Sequence, residues 1–150
     1  MYCINLFHYD YCFNNRIIYI VMTEELVTLE TAKLLKDKGF NWKCEHLIDR
    51  NKVITKYDLP QSMSCCTEID DESVEFLCPV LYVAQKWLRE TKNLHIEIYR
   101  SAVGYGYAIV KADNGTWQED DDSRGPNDGG LWDTYEEALE AGIREALKLI

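Results

Sequence analysis

Apolar residues recur at three- and four-residue spacing in three stretches of this chain and alternate with polar ones in between, a pattern of helices separated by strand pairs. Thr28 to Lys38 is the first helix: Leu29, Ala32, Leu34 and Leu35 form a broad apolar face, Gly39 stands in the C′ position and Phe40 just beyond it. Trp42 to Ile48 and Val53 to Tyr57 alternate as strands, with Asp49-Arg50-Asn51-Lys52 as a hairpin turn. Leu59 to Glu75 breaks the pattern. It holds Pro60, a Ser-Met-Ser-Cys-Cys run and the acids Glu68, Asp70, Asp71, Glu72 and Glu75, and reads as an irregular connection.

Pro79 then sits where a helix tolerates it, in the first turn, and Val80, Ala84, Trp87 and Leu88 follow as a buried stripe that Asn93 ends. His95 to Arg100 and Tyr107 to Lys111 alternate as strands joined through Gly104-Tyr105-Gly106, and Asn114-Gly115 marks a tight turn before Trp117 that leaves room for a short third strand. Thr134-Tyr135-Glu136-Glu137 has the form of a capping box, in which the hydroxyl and the carboxylate satisfy unpaired amides at a helix start. Ala138, Leu139, Gly142, Ile143, Ala146, Leu147 and Ile150 supply the buried face of this last helix. The order from residue 22 is α-β-β-α-β-β-α with hairpins in place of long crossovers. It predicts one α+β domain over residues 22–150, a two-layer arrangement in which an antiparallel sheet of about four strands carries helices on one face.

Residues 1–21 do not match the rest. They are dominated by Tyr, Ile, Asn, Phe and Cys, whereas Met22-Thr23-Glu24-Glu25 opens an ordinary charged stretch. The segment lacks the basic, apolar and small-residue zones of a secretory signal, and His8, Asp10, Asn14, Asn15 and Arg16 interrupt any membrane span. It reads either as an over-extended start ahead of Met22 or as an extra strand from Arg16 to Met22.

Composition narrows the function classes. The 150 residues carry 26 acids against 16 Lys and Arg, a formal charge of -10, with 47% hydrophobic residues, which fits one folded domain and excludes disorder as the main state. Such acidity argues against nucleic acid or an anionic membrane as a partner bound by bulk electrostatics. Six cysteines, at positions 3, 12, 44, 65, 66 and 78, without a secretion signal read as free thiols in a reducing cytoplasm. Cys44, His46, Cys65, Cys66 and Cys78 lack the paired C-x-x-C spacing of a zinc site, and nothing marks His8, His46 or His95 as the base that a Cys nucleophile would need. Phosphate-loop, dinucleotide, nucleophile-elbow and metalloprotease motifs are all missing, so no catalytic residue, metal or cofactor is expected.

The charge is concentrated. Glu119, Asp120, Asp121, Asp122, Asp128, Asp133, Glu136 and Glu137 are opposed only by Arg124, within a Gly-rich connection from Asp113 to Asp133 that Trp117 and Trp132 flank. A solvated loop is the plain reading. A calcium loop fails because Arg124 stands where a third ligand is needed and Leu131 holds the twelfth place. What remains is an acidic, aromatic-edged surface that docks on a basic protein, with Trp117, Trp132, Tyr105 or Tyr107 as the apolar anchor.

Gln85-Lys86-Trp87-Leu88-Arg89-Glu90, then Leu94-His95-Ile96-Glu97-Ile98, the Tyr/Gly-rich hairpin and the run from Thr134 to Ile150 resemble small phage and prophage proteins of gut bacteria, over nearly all of residues 22–150. The resemblance implies a mobile-element origin and a bacterial cytoplasmic setting, and brings no activity or catalytic residues with it. The hairpin and the Thr134–Leu147 helix, about a third of the chain, are also similar to the partial RNase-H-like fold of HicB-type antitoxins, although the DNA-binding module expected there is not evident. The leading expectation is thus a non-enzymatic, phage-derived accessory protein, acting as a nucleic-acid mimic or against host defence. It would bind a basic host or phage protein through Trp117, Glu119, Asp120, Asp121, Asp122, Asp128 and Trp132, with a homodimer left open. The alternative is an antitoxin-like regulator paired with a small toxin.

Overall fold

A computed structural model describes residues 25–112, 116–120 and 125–150. The expectations for residues 1–21, for the Asn114-Gly115 turn and for Asp121 and Asp122 lie outside the described residues. Among the described residues the fold is α+β, with three helices and antiparallel sheets of two or three strands.

The first helix, α1 (Leu29–Asp37), begins where Thr28 accepts a hydrogen bond from the Thr31 N–H. It ends as the chain turns through Gly39 at φ +82 and the Phe40 N–H reaches back to the Leu35 carbonyl at 2.8 Å. β1 (Cys44–Asp49) and β2 (Ile54–Gln61) follow as a hairpin. Asp49 makes the turn: its carboxylate accepts the N–H groups of Asn51 and Val53, each at 2.8 Å. β2 runs past Tyr57, where the alternation had placed its end, and includes Pro60. That is tolerated because β2 is an edge strand and Tyr57 to Pro60 sit in a register irregularity against β1.

The stretch from Leu59 to Glu75 is more ordered than an irregular connection. β3 (Glu68–Ile69) and β4 (Glu72–Ser73) form a small ribbon whose turn residues, Asp70 and Asp71, both have positive φ. β5 (Glu75–Leu77) then pairs with β1, Leu47 opposite Leu77, and completes a sheet of order β2-β1-β5. α2 (Leu81–Lys92) takes Val80 as N-cap, so Pro79 stands just ahead of the helix and outside its first turn; Asn93 ends it in the left-handed conformation.

β6 (Leu94–Arg100), β7 (Tyr105–Ala112) and β8 (Thr116–Asp120) form a second meander, and α3 (Tyr135–Lys148) opens on the full capping box. Among the described residues, the expected single sheet of about four strands gives way to two three-stranded sheets and a ribbon. The division follows from β5, which closes on β1, while α2 intervenes before β6 begins.

Leu94, Ile96, Tyr107 and Ile109 turn the buried face of the second sheet toward the helices. α3 comes very close there: a Cβ added at Gly142 would lie 2.8 Å from Ile96 Cγ2 and 3.2 Å from the Tyr107 ring. The free side of β6 is closed by α2, whose Gln85 Nε2 donates to the Ile96 carbonyl at 2.9 Å. One core joins both sheets, with Trp87 packed edge-on against Phe40 at 5.4 Å between Leu35, Leu77, Leu88 and Leu147. A polar junction ties α1 to α3: Glu140 Oε1 accepts from the Thr28 N–H at 3.0 Å, the Thr28 hydroxyl at 2.7 Å and the fully buried Thr31 hydroxyl at 2.5 Å.

Candidate functional site

The described residues from Gly125 to Trp132 return to one end of the second sheet. Tyr105, the first residue of β7, exchanges two backbone hydrogen bonds with Trp132, at 2.8 and 2.9 Å, so the segment before α3 is latched beside the β6–β7 turn. Gly104 permits the close approach, since a Cβ there would lie 2.5 Å from the Trp132 carbonyl oxygen. Asn127 holds the rest of the segment. Its side-chain amide donates to Asp133 at 2.8 Å and to the Val103 carbonyl at 3.4 Å, and its N–H donates to the Leu131 carbonyl at 2.9 Å. Residues 125–133 are thus knitted to the sheet, and Leu131 is buried beneath them.

The aromatic residues divide into two groups. Tyr107 is 2% exposed and packs on Trp132, centroids 5.4 Å apart, and Trp132 is half-buried against the core, so neither is the free anchor that the sequence suggested. Tyr135 is 42% exposed and stands edge to face with the half-buried Tyr105 at 6.2 Å, and Val103, two residues before Tyr105 in the chain, is 51% exposed. Arg100 lies over Tyr105, 4.8 Å from the ring, and its guanidinium is held by the carbonyls of Ser101 and Gly104. Tyr135 was legible only as a capping-box residue, and Val103 carried no signal, because exposure depends on the latched loop.

The acids also divide. Asp133 is engaged by Asn127, and Glu137 is used in the capping box, accepting the Thr134 N–H at 3.2 Å. Asp128 and Glu136 are exposed beside them. Glu119 and Asp120 are not on a long loop. They belong to β8, opposite Ile109 and Ala108, with Trp117 opposite Lys111. Asp121 and Asp122 follow β8 in the chain, outside the described residues. Among the described residues, this end of the sheet thus exposes the apolar side chains Tyr135 and Val103 and the carboxylates Asp128 and Glu136, with Arg100 stacked on Tyr105.

Cysteine chemistry lies elsewhere. Burial pushes the Cys78 thiol up to about 12 and the Cys44 thiol up to about 11, and Cys78 donates to the Val27 carbonyl at 3.3 Å, so both are held as neutral thiols. Exposed Cys65 is shifted the other way, chiefly by its hydrogen bond with the Ser62 backbone. Among the described residues no three metal-ligating side chains converge, and no helix is long and apolar enough to cross a membrane. No family model matches the chain, and comparison with curated proteins and with solved structures finds no match either.

Proposed function

We propose that this chain is a non-catalytic accessory protein of mobile-element origin that docks on a Lys/Arg-rich host or phage protein through the end of the β6-β7-β8 sheet. The observation that carries this reading is that the exposed residues Val103 of the β6–β7 turn, Asp128 of the segment before α3, and Tyr135 and Glu136 at the start of α3 belong to segments fastened together by the Tyr105–Trp132 and Asn127 hydrogen bonds. A fastened loop pays less ordering entropy on binding than a mobile one, so its apolar centre can act as an anchor while the carboxylates steer the partner. Glu119 and Asp120 lie in β8 and Asp121 and Asp122 follow them in the sequence, and such a run of carboxylates can imitate a phosphate backbone. The four described cysteines are free, in keeping with work in a reducing cytoplasm.

The test is affinity capture from bacterial lysate with the tagged full chain beside two variants, Asp128→Asn/Tyr135→Ala/Glu136→Gln and Asp120→Asn/Asp121→Asn/Asp122→Asn. A basic protein retained by the native chain, lost from both variants and released by added salt is the expected result. Equal recovery by all three baits would sink the proposal. A second reading, an antitoxin-like regulator, draws on the three-strand meander with α3 packed across it, and expects a small toxin to co-purify with the native chain.

A further inference from the structure

The ribbon of β3 and β4 is held to the molecule by polar ties. None of the residues from Thr67 to Glu72 is buried, and Ile69, the apolar residue that ends β3, is 58% exposed. Glu68 pairs with Lys36 of α1 at 2.9 Å. Arg50, in the β1–β2 turn, pairs with Glu72 at 2.8 Å and donates through Nε to the Ser73 carbonyl at 2.9 Å. At the stem the Thr67 hydroxyl donates to the Glu75 carboxylate at 2.6 Å, and the Val74 N–H donates to the Thr67 carbonyl at 2.9 Å. Both ion pairs stand in water, the Glu68 and Glu72 side chains being 57% and 72% exposed, where such pairs are weak and salt screens them. The tip adds strain. Asp70 and Asp71 both take positive φ, 51 and 61, a left-handed pair that hairpin turns fill most readily with Asn-Gly.

With little apolar burial to oppose its release, the ribbon belongs at the low-stability end of the fold. Cys66 immediately precedes the stem and packs, half-buried, against the core. Burial and the Glu75 carboxylate push its thiol up, and Lys36 pulls it the other way. The two charged side chains that act on Cys66 are thus the same two that hold the ribbon. We infer that the β3–β4 ribbon is a strap fastened by charge, which opens while the rest of the fold stays closed and so uncovers the Cys66 thiol. Opening parts Lys36 from Glu68 and Glu75 from Thr67, which loosens the surroundings of the sulfur. The strap is independent of the docking surface proposed above and shares no residue with it.

The experiment follows alkylation of Cys66 by N-ethylmaleimide in the full chain carrying Cys65→Ser, with peptide mapping to separate Cys66 from the other thiols. Raising KCl from about 0.05 M to about 1 M, which shortens the screening length to roughly 3 Å, should speed Cys66 labelling about three- to tenfold, the range that two exposed ion pairs allow. Lys36→Gln/Arg50→Gln should label at the high-salt rate whatever the salt. Asp70→Asn/Asp71→Gly should slow labelling, because it relieves the strain that favours opening. Amide exchange supplies a second readout: the Val74 amide at the stem should quicken with salt, and the Cys78 amide, bonded to the His46 carbonyl beyond β5, should not. A Cys66 rate indifferent to salt, a salt response that survives Lys36→Gln/Arg50→Gln, or Val74 and Cys78 amides that quicken together would each overturn the inference.

Discussion

The two three-stranded sheets carry similar numbers of residues and meet opposite fates. In β6-β7-β8 the inward residues Leu94, Ile96, Tyr107 and Ile109 are buried under α2 and α3, and Gln85 closes the outer side of β6. In β2-β1-β5 the eight residues of the outer strand are exposed or at most half-buried, and Ile54 and Leu59 stand 47% and 73% in solvent. Pro60, the register irregularity, Lys56 and Asp58 are the devices that keep such an edge from recruiting another strand. The lesson is a division of labour. The covered sheet carries the latch between Tyr105 and Trp132, and the open one ends in an irregular, exposed rim.

The sharpest way to break this comparison is to delete equal side chains from the two sheets. Ile109→Ala should cost about 2–5 kcal/mol in a denaturant titration, because the residue is fully buried and the cavity cannot collapse. Ile54→Ala should stay within about 0.5 kcal/mol. Similar losses at both positions would mean that the edge of β2 is covered in solution. Next in size is the junction between the halves. Glu140→Ala strands the buried Thr31 hydroxyl and the Thr28 amide, with an expected loss of about 1–3 kcal/mol and faster amide exchange through the first turn of α1.

The thiols sharpen the same contrast through pH. Cys44 and Cys78 titrate near 11 and 12 when folded and near 9.0 when unfolded, so the unfolded chain gives up protons first. Their stabilising contribution is complete below pH 9 and is lost as the pH rises through the folded values. Thermal melts should therefore fall progressively across that range, and Cys44→Ala/Cys78→Ala should flatten the decline; an unchanged slope would remove the thiols as its source. In the native state a thiol reagent should label exposed Cys65 well before either. The smallest expected effect is that of Gln85→Ala, about 1 kcal/mol, with local exchange rising along β6 and not along β2.

Much of the fold was legible because it is encoded locally. Gly39, Asn93 and the Thr134 to Glu137 box announce helix ends through hydrogen bonds made within a few residues, and the structure uses each of them in that role, while Thr28, placed by the sequence inside the first helix, proves to be its N-cap. The segment from Leu59 to Glu75 was not legible. β3, β4 and β5 have two or three residues each, too few to show a period, and β5 exists because Leu47, thirty residues earlier in the chain, offers it a partner.

The candidate site splits along the same line. The sequence by itself determined that negative charge gathers between Glu119 and Glu137 and that aromatic residues flank it, since charge and composition need no fold. Only the tertiary structure decided which of these residues face outward. Trp132 and Tyr107 are drawn into the core and Asp133 is taken by Asn127, leaving Tyr135, Val103, Asp128 and Glu136 accessible. Burial and charge pairing depend on which distant residues arrive at the same place, and that is settled when the latch at Tyr105 and the pairing of β5 with β1 close, not by any local pattern.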